Sequence, residues 1–177
     1  EDALGCSIDA GTGTVVVGTT ARGHEVPVAT AALEADGIVV VNRVKPHTNF
    51  SGAIESGLSK MLTVGLGKRA GARAFHEAAL THGYVDTIER ALEVVRANAS
   101  VVGGVAVVEN FHDRTAHVEG VPAGDLPGTE ADLLDRAREH LPTLPFDDLD
   151  ALVVAGIGKD VSGSGMDTNV IGRYGVV

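Results

Sequence analysis

At 177 residues the chain can bury roughly two-thirds of its unfolded surface, and it carries a formal net charge of −10. That acidity argues against a nucleic-acid partner, and no apolar run approaches the roughly 20 residues that cross a bilayer. The single cysteine, Cys6, excludes an internal disulfide framework and fits a reducing, cytoplasmic setting without a visible signal peptide. A start without Met and an apolar end, Tyr174-Gly175-Val176-Val177, read as an interior piece of a longer protein.

Along the chain, residues 14–17 and 24–28 read as a β-hairpin turning through Ala21, Arg22 and Gly23. Residues 30–35 form a short helical link into Ile38-Val39-Val40-Val41, a β-branched run expected as a buried strand. Polarity then switches to Asn42, Arg43, Lys45, His47 and Thr48. Ligands of open α/β sheets bind beyond the carboxyl ends of strands, so these side chains lie where a site is expected. Residues 54–60 and 70–80 are expected as helices, separated by a glycine-punctuated turn over 63–68. The clearest helix spans 84–98: Val85, Ile88, Leu92 and Val95 share one stripe, Glu89, Arg90 and Glu93 face water, and Gly83 marks the break before it.

Residues 101–108 form a second apolar strand, and 115–121 pair back onto it through the polar turn 110–114. Thr129 and Asp132 give a capping-box pattern opening a helix to about His140. Residues 151–157 read as another buried strand, followed by a polar glycine-rich loop over 158–169. Alternating strands and helices indicate an α/β fold with a mainly parallel sheet flanked by helices. The loops after Val41 and Ile157 would then converge on one crevice.

Several side chains in these loops carry chemistry. His47 follows Pro46, which stiffens the loop, and an imidazole there can act as acid or base near neutral pH; the plainer alternative is a loop-stabilising histidine. Lys60 sits among small and apolar residues, where a lowered pKa makes an amine nucleophilic; the alternative is a snorkelling lysine. His76 is a potential metal ligand, yet no cluster supplies the three or four donors a protein-only site needs. Gly65-Leu66-Gly67-Lys68 is similar to a phosphate-cradling turn without the spacing of a P-loop. In the 158–169 loop, Lys159 suits a carboxylate and Asp167 and Asn169 suit hydroxyls, unless the loop is an ordinary connection.

Four ordered blocks carry a resemblance: VNRVKPHT (41–48), ESGLSKMLTVGLGK (55–68), LPFDDLDALVV (144–154) and IGKDVSGSGMDTNVIGR (157–173). Together they resemble the nickel-dependent lactate racemase family over residues 35–173. The resemblance implies a two-domain racemase-like architecture, with residues 1–125 in a partial amino-terminal domain and 126–177 beginning a carboxyl-terminal one. It implies a nickel pincer nucleotide, built on a pyridinium mononucleotide and tethered to Lys60 through a thioamide. Gly65, Gly67 and Lys68 lie beside the tether, and His76 completes the nickel ligands. His47 matches one of two catalytic histidines, with Asn42, Arg43, Lys45, Thr48, Lys159, Asp167, Asn169 and Arg173 toward the substrate.

The reaction so implied inverts the hydroxyl-bearing carbon of a 2-hydroxy acid by coupled proton and hydride transfer. Cofactor-synthesis and nickel-insertion proteins would be partners of the full-length parent. The family's second catalytic histidine and its substrate arginine have no counterpart here, and Arg173 and Lys159 are the cations nearest a family lysine that is out of register. Two other readings stand beside this one: a non-catalytic small-molecule-binding module, and a nickel-free enzyme acting on a phosphorylated metabolite. The racemase reading requires His47, Lys60 and His76 to border one crevice.

Overall fold

The computed structural model describes residues 5–153, 155 and 167–171. Strands β1 (Thr14–Thr19) and β2 (Glu25–Ala29) pair antiparallel as a separate two-stranded sheet. A short helix α1 (Thr30–Glu34) leads into β3 (Ile38–Arg43). The main sheet has the order β3-β4-β5, with β4 (Val101–Glu109) parallel to β3 and β5 (Thr115–Pro122) antiparallel to β4.

The described sheet is therefore mixed, which corrects the expectation of a mainly parallel one. Parallel pairing needs a crossover of a dozen or more residues, and the β3–β4 connection provides it with helices. Between β4 and β5 only a tight turn intervenes. The Asn110 carboxamide closes it, its Oδ1 accepting the N–H groups of His112 at 2.9 Å and Arg114 at 3.2 Å.

Two helices meet at Gly83. The first, α3 (Lys68–His82), extends past both expected ends, while α4 (Tyr84–Asn98) keeps the bounds its periodicity predicts. Gly83 adopts φ +80°, a backbone state that costs a residue bearing a Cβ, and its N–H still reaches Ala79 O. The stripe read from the sequence is buried at Ile88, Leu92 and Val95. α5 (Gly128–Glu139) follows Pro127, and no side-chain bond caps it, so the Thr129–Asp132 capping box is not formed.

Two further expectations change. The helix predicted over 54–60 shrinks to α2 (Leu58–Lys60), because residues 45 and 56 are bridged by backbone bonds that hold the preceding chain extended. The glycine-punctuated turn predicted over 63–68 is instead a π-helical turn, Met61–Gly65, with Leu66 N–H reaching back to Met61 O. Residues 151–153 are exposed and join no strand, so the start of the strand expected over 151–157 is absent; most of the rest lies outside the described residues.

The inner face of the main sheet presents Ile38, Val40, Ala106, Val108 and Val121. Against it pack Leu58 and Leu62, Leu92 of α4, and Leu133, Leu134 and Ala137 of α5. Each such leucine, isoleucine or valine contributes about 1.5–3 kcal/mol by leaving water. The helix α5, beyond the expected division at 125, thus shares this core. On the opposite face Val39, Val41 and Val118 are exposed. No helix among the described residues is long and apolar enough to cross a membrane.

Gly67 joins the two helical segments to the hairpin. A Cβ there would stand 2.6 Å from Gly71 Cα and 2.9 Å from Pro27 O, both backbone atoms that cannot swing aside. Gly67→Ala is expected to cost about 1–3 kcal/mol, read as a lower urea midpoint with an unchanged slope. An unaltered midpoint would show that the packing seen here is not needed for the fold.

Candidate functional site

The chain leaving β3 forms a closed loop. Lys45 and Ser56 exchange backbone hydrogen bonds of 3.0 and 3.2 Å, pinning its two ends. Inside it the Glu55 carboxylate, 2 % exposed, collects donors: His47 N–H at 2.5 Å, Gly52 N–H at 3.1 Å, Ser51 Oγ–H at 3.3 Å and Arg138 Nη2 at 2.7 Å. A buried carboxylate without such partners would be expensive, so these bonds make the loop's shape obligatory.

His47 is half-buried at the rim of this loop, its ring 4.4 Å from that of Phe50. Asn49 N–H donates to His47 Nδ1 at 3.1 Å. An Nδ1 that accepts places the proton of the neutral ring on Nε2. Burial, then the Lys60 ammonium, lower the His47 pKa to about 4, with Glu55 opposing. The imidazole is therefore neutral at neutral pH.

Lys60 ends α2 with its Nζ 5.5 Å from the centre of the Phe50 ring, a cation–π contact. Burial lowers its pKa to about 8, against the pull of Glu55, so an appreciable fraction is free amine at neutral pH. With Asn42, Arg43, Lys45 and Gly65 it lines an open hollow of about 300 Å³. Among the described residues no carboxylate lines that hollow. The π turn directly after Lys60 widens the backbone where such turns often serve function.

His47 and His76 stand outside the walls of this hollow. An aromatic stack links them: Phe50 lies parallel to Tyr84 at 4.5 Å, and His76 meets Tyr84 edge-on at 6.3 Å. His76 is exposed on α3, and its proximity contributes to the lowered pKa of His47. Lys60 and the two histidines thus surround Phe50 and Tyr84, but only Lys60 lines the hollow, so the single crevice expected to be bordered by all three is not formed among the described residues. Among the described residues no three His, Cys, Asp or Glu side chains are arranged to hold a metal ion. His76 could act as a ligand only where a cofactor supplied the other donors.

The remaining candidates divide. Asn42 Nδ2 donates to Gly57 O at 2.9 Å, and Arg43 pairs with Glu109 at 2.8 Å, so both are partly committed to structure. Lys45 is exposed beside the hollow. Thr48 offers its carbonyl to Thr168 Oγ–H at 2.6 Å, and Asn169 Nδ2 donates to His47 O at 3.3 Å. Asp167 accepts from the N–H and Nδ2 of Asn169 and lines a different cavity, of about 340 Å³. Gly67 is packed against backbone, and Lys68 opens α3 with φ +51°. Lys159 and Arg173 lie outside the described residues.

Sequence reasoning missed Phe50, Tyr84, Glu55 and Arg138. Tyr84 registers only as a helix start, and the other three act through partners remote along the chain. No protein-family model matches the chain, and no curated protein matches it.

The His47–Lys60 pairing has a measurable sign. A folded pKa below the ordinary value means the unfolded chain takes the proton first, so this residue erodes stability as pH falls from about 6.5 to about 4. NMR titration of the His47 ring should give a midpoint near 4, moving upward in Lys60→Met. An unchanged midpoint in that variant would remove the electrostatic link.

Proposed function

We propose that the chain carries part of the site of a nickel-pincer-dependent racemase or epimerase of a 2-hydroxy acid. The supporting observation is Lys60: an amine with a lowered pKa, held over Phe50 and lining a carboxylate-free hollow with Arg43 and Lys45. A nucleophilic amine is what acylation by a thiocarboxyl group requires. His76, exposed on α3 and outside the hollow, would hold the nickel only together with the carbon and sulfur donors that the pincer brings. When bound, that group supplies a reversible hydride acceptor.

The chain's own side chains do the rest. Lys45, exposed beside the hollow, attracts an anionic ligand to it, while the Arg43 charge is already shared with Glu109. Gly65 keeps the wall free of a side chain, and Asn42 ties it to the start of α2. His47 is neutral, and the bond from Asn49 to Nδ1 leaves its ring proton on Nε2 at rest. Taking a proton from a hydroxyl at Nε2 requires the other tautomer, in which Nδ1–H replaces the bond from Asn49. Asn169 and Thr168 hold the loop by its His47 and Thr48 carbonyls while the ring changes state.

A racemase of this kind depends on cofactor-synthesis and nickel-insertion proteins, and a 2-hydroxy acid is its substrate class. The absence of carboxylates among the described residues of the hollow equally suits a phosphorylated metabolite handled without nickel. Intact mass spectrometry of protein co-produced with cofactor-making enzymes separates the two. The expected result is an adduct on Lys60 with about one nickel equivalent, both lost in Lys60→Ala. An unmodified Lys60 beside tight phosphate binding would replace the racemase reading with the nickel-free one.

A further inference from the structure

Lys60 stands on a helix that cannot secure its own start. α2 is three residues long, and its N-cap, Gly57, has no side chain with which to accept an N–H. It continues without a break into the Met61–Gly65 turn, so what it lacks is an acceptor for the free N–H groups of its first turn. The missing acceptor comes from α5. Glu130 Oε2 accepts Ser59 N–H at 2.9 Å and Ser59 Oγ–H at 2.5 Å.

Glu130 is 1 % exposed, and its other oxygen, Oε1, is buried with no hydrogen-bond partner. Gly57 makes the approach possible, because a Cβ at that position would collide with Oε1. Burial pushes the Glu130 pKa up, and bonds from Ser59 and the Leu58 backbone offset that only in part. A half-satisfied buried carboxyl is a poor device for stability alone. Its geometry indicates another use: it grips the residue immediately before Lys60.

We infer that Glu130 is a positioning residue for Lys60: by holding the amide and hydroxyl of Ser59 it fixes the direction in which the Lys60 side chain leaves α2, over Phe50 and along the wall of the hollow. The inference rests on the reading of Lys60 as the anchoring amine. The action is through geometry, since the influences that set the Lys60 pKa are its burial and the Glu55 charge, with Glu130 not among them. If the grip is lost, the start of α2 loosens and Lys60 swings toward water. A partly rehydrated ammonium moves back toward the ordinary lysine pKa.

The test is trace acetylation of the full chain with acetic anhydride across pH, each lysine being quantified by peptide mass spectrometry. In the unaltered protein Lys60 should react with a midpoint near 8, and exposed Lys45 serves as the internal reference. An ordinary lysine midpoint for Lys60 at this stage would overturn the anchoring reading itself. In Glu130→Ala the Lys60 midpoint should rise by about one pH unit. Glu130→Gln, which keeps an acceptor for Ser59, should stay close to the original. Should Glu130→Ala fail to fold by circular dichroism, Ser59→Ala is read in its place and should shift the midpoint the same way, by less. An unmoved midpoint in the folded variant, or an equal rise in Glu130→Gln, would overturn the positioning role.

Discussion

The carboxylate of Glu55 is the constraint on which the rest of the site depends. Its partners come from two directions: His47, Ser51 and Gly52 from its own loop, and Arg138 from α5. Because Glu55 is buried, loss of the exposed Arg138 would strand the carboxylate in a poorly hydrated place. These bonds tie the loop to one arrangement around Glu55. That shape turns the His47 backbone inward, seats Phe50 in the core beside Ile54, and brings the loop back to Ser56 one turn before Lys60.

The helix α5 acts on this segment twice. Glu130 in its first turn takes the amide of Ser59, and Arg138 in its last turn takes Glu55 and the carbonyl of Gly52. Eight residues at 1.5 Å each separate these groups by about 12 Å, enough to lie along the strip from Glu55 to Ser59. The order of charges also suits the helix dipole, acid near the amino end and base near the carboxyl end. Leu133, Leu134 and Ala137 between them enter the common core, so the clamp is held by hydrophobic burial. A helix remote in sequence thereby fixes both sides of the candidate anchor.

Local information was enough for the elements whose stability is local. The stripe of Ile88, Leu92 and Val95 produced α4 with its predicted ends, and the apolar runs produced β3 and β4. Prediction failed wherever a distant partner decides. The chain before Leu58 has helical composition, yet Lys45 captures the backbone of Ser56 and Glu55 is committed to the loop. Gly65 and Gly67 look like breaks, yet they admit Met61 and Pro27 against the backbone and let helix continue. The site divides in the same way. Unusual residue types exposed Lys60, Lys45 and His47 to sequence reasoning, whereas the aromatic stack that gathers Lys60 and the histidines has no period or motif to reveal it.

Charge coupling follows from this architecture. Lys60 is one of the causes that hold His47 in its neutral form, and both lie against the same Phe50 ring in a setting where water screens weakly. Converting the Lys60 amine to an amide-like group removes a positive charge from that setting. His47 then loses one of the influences depressing its pKa, while Glu55, which raises it, stays in place. An imidazole held down by burial first and by the Lys60 charge second becomes more basic once Lys60 is acylated, with burial still depressing it. On the racemase reading, occupation of the anchor and readiness of the base are thus linked by Coulomb's law across one aromatic ring, without any movement of the backbone.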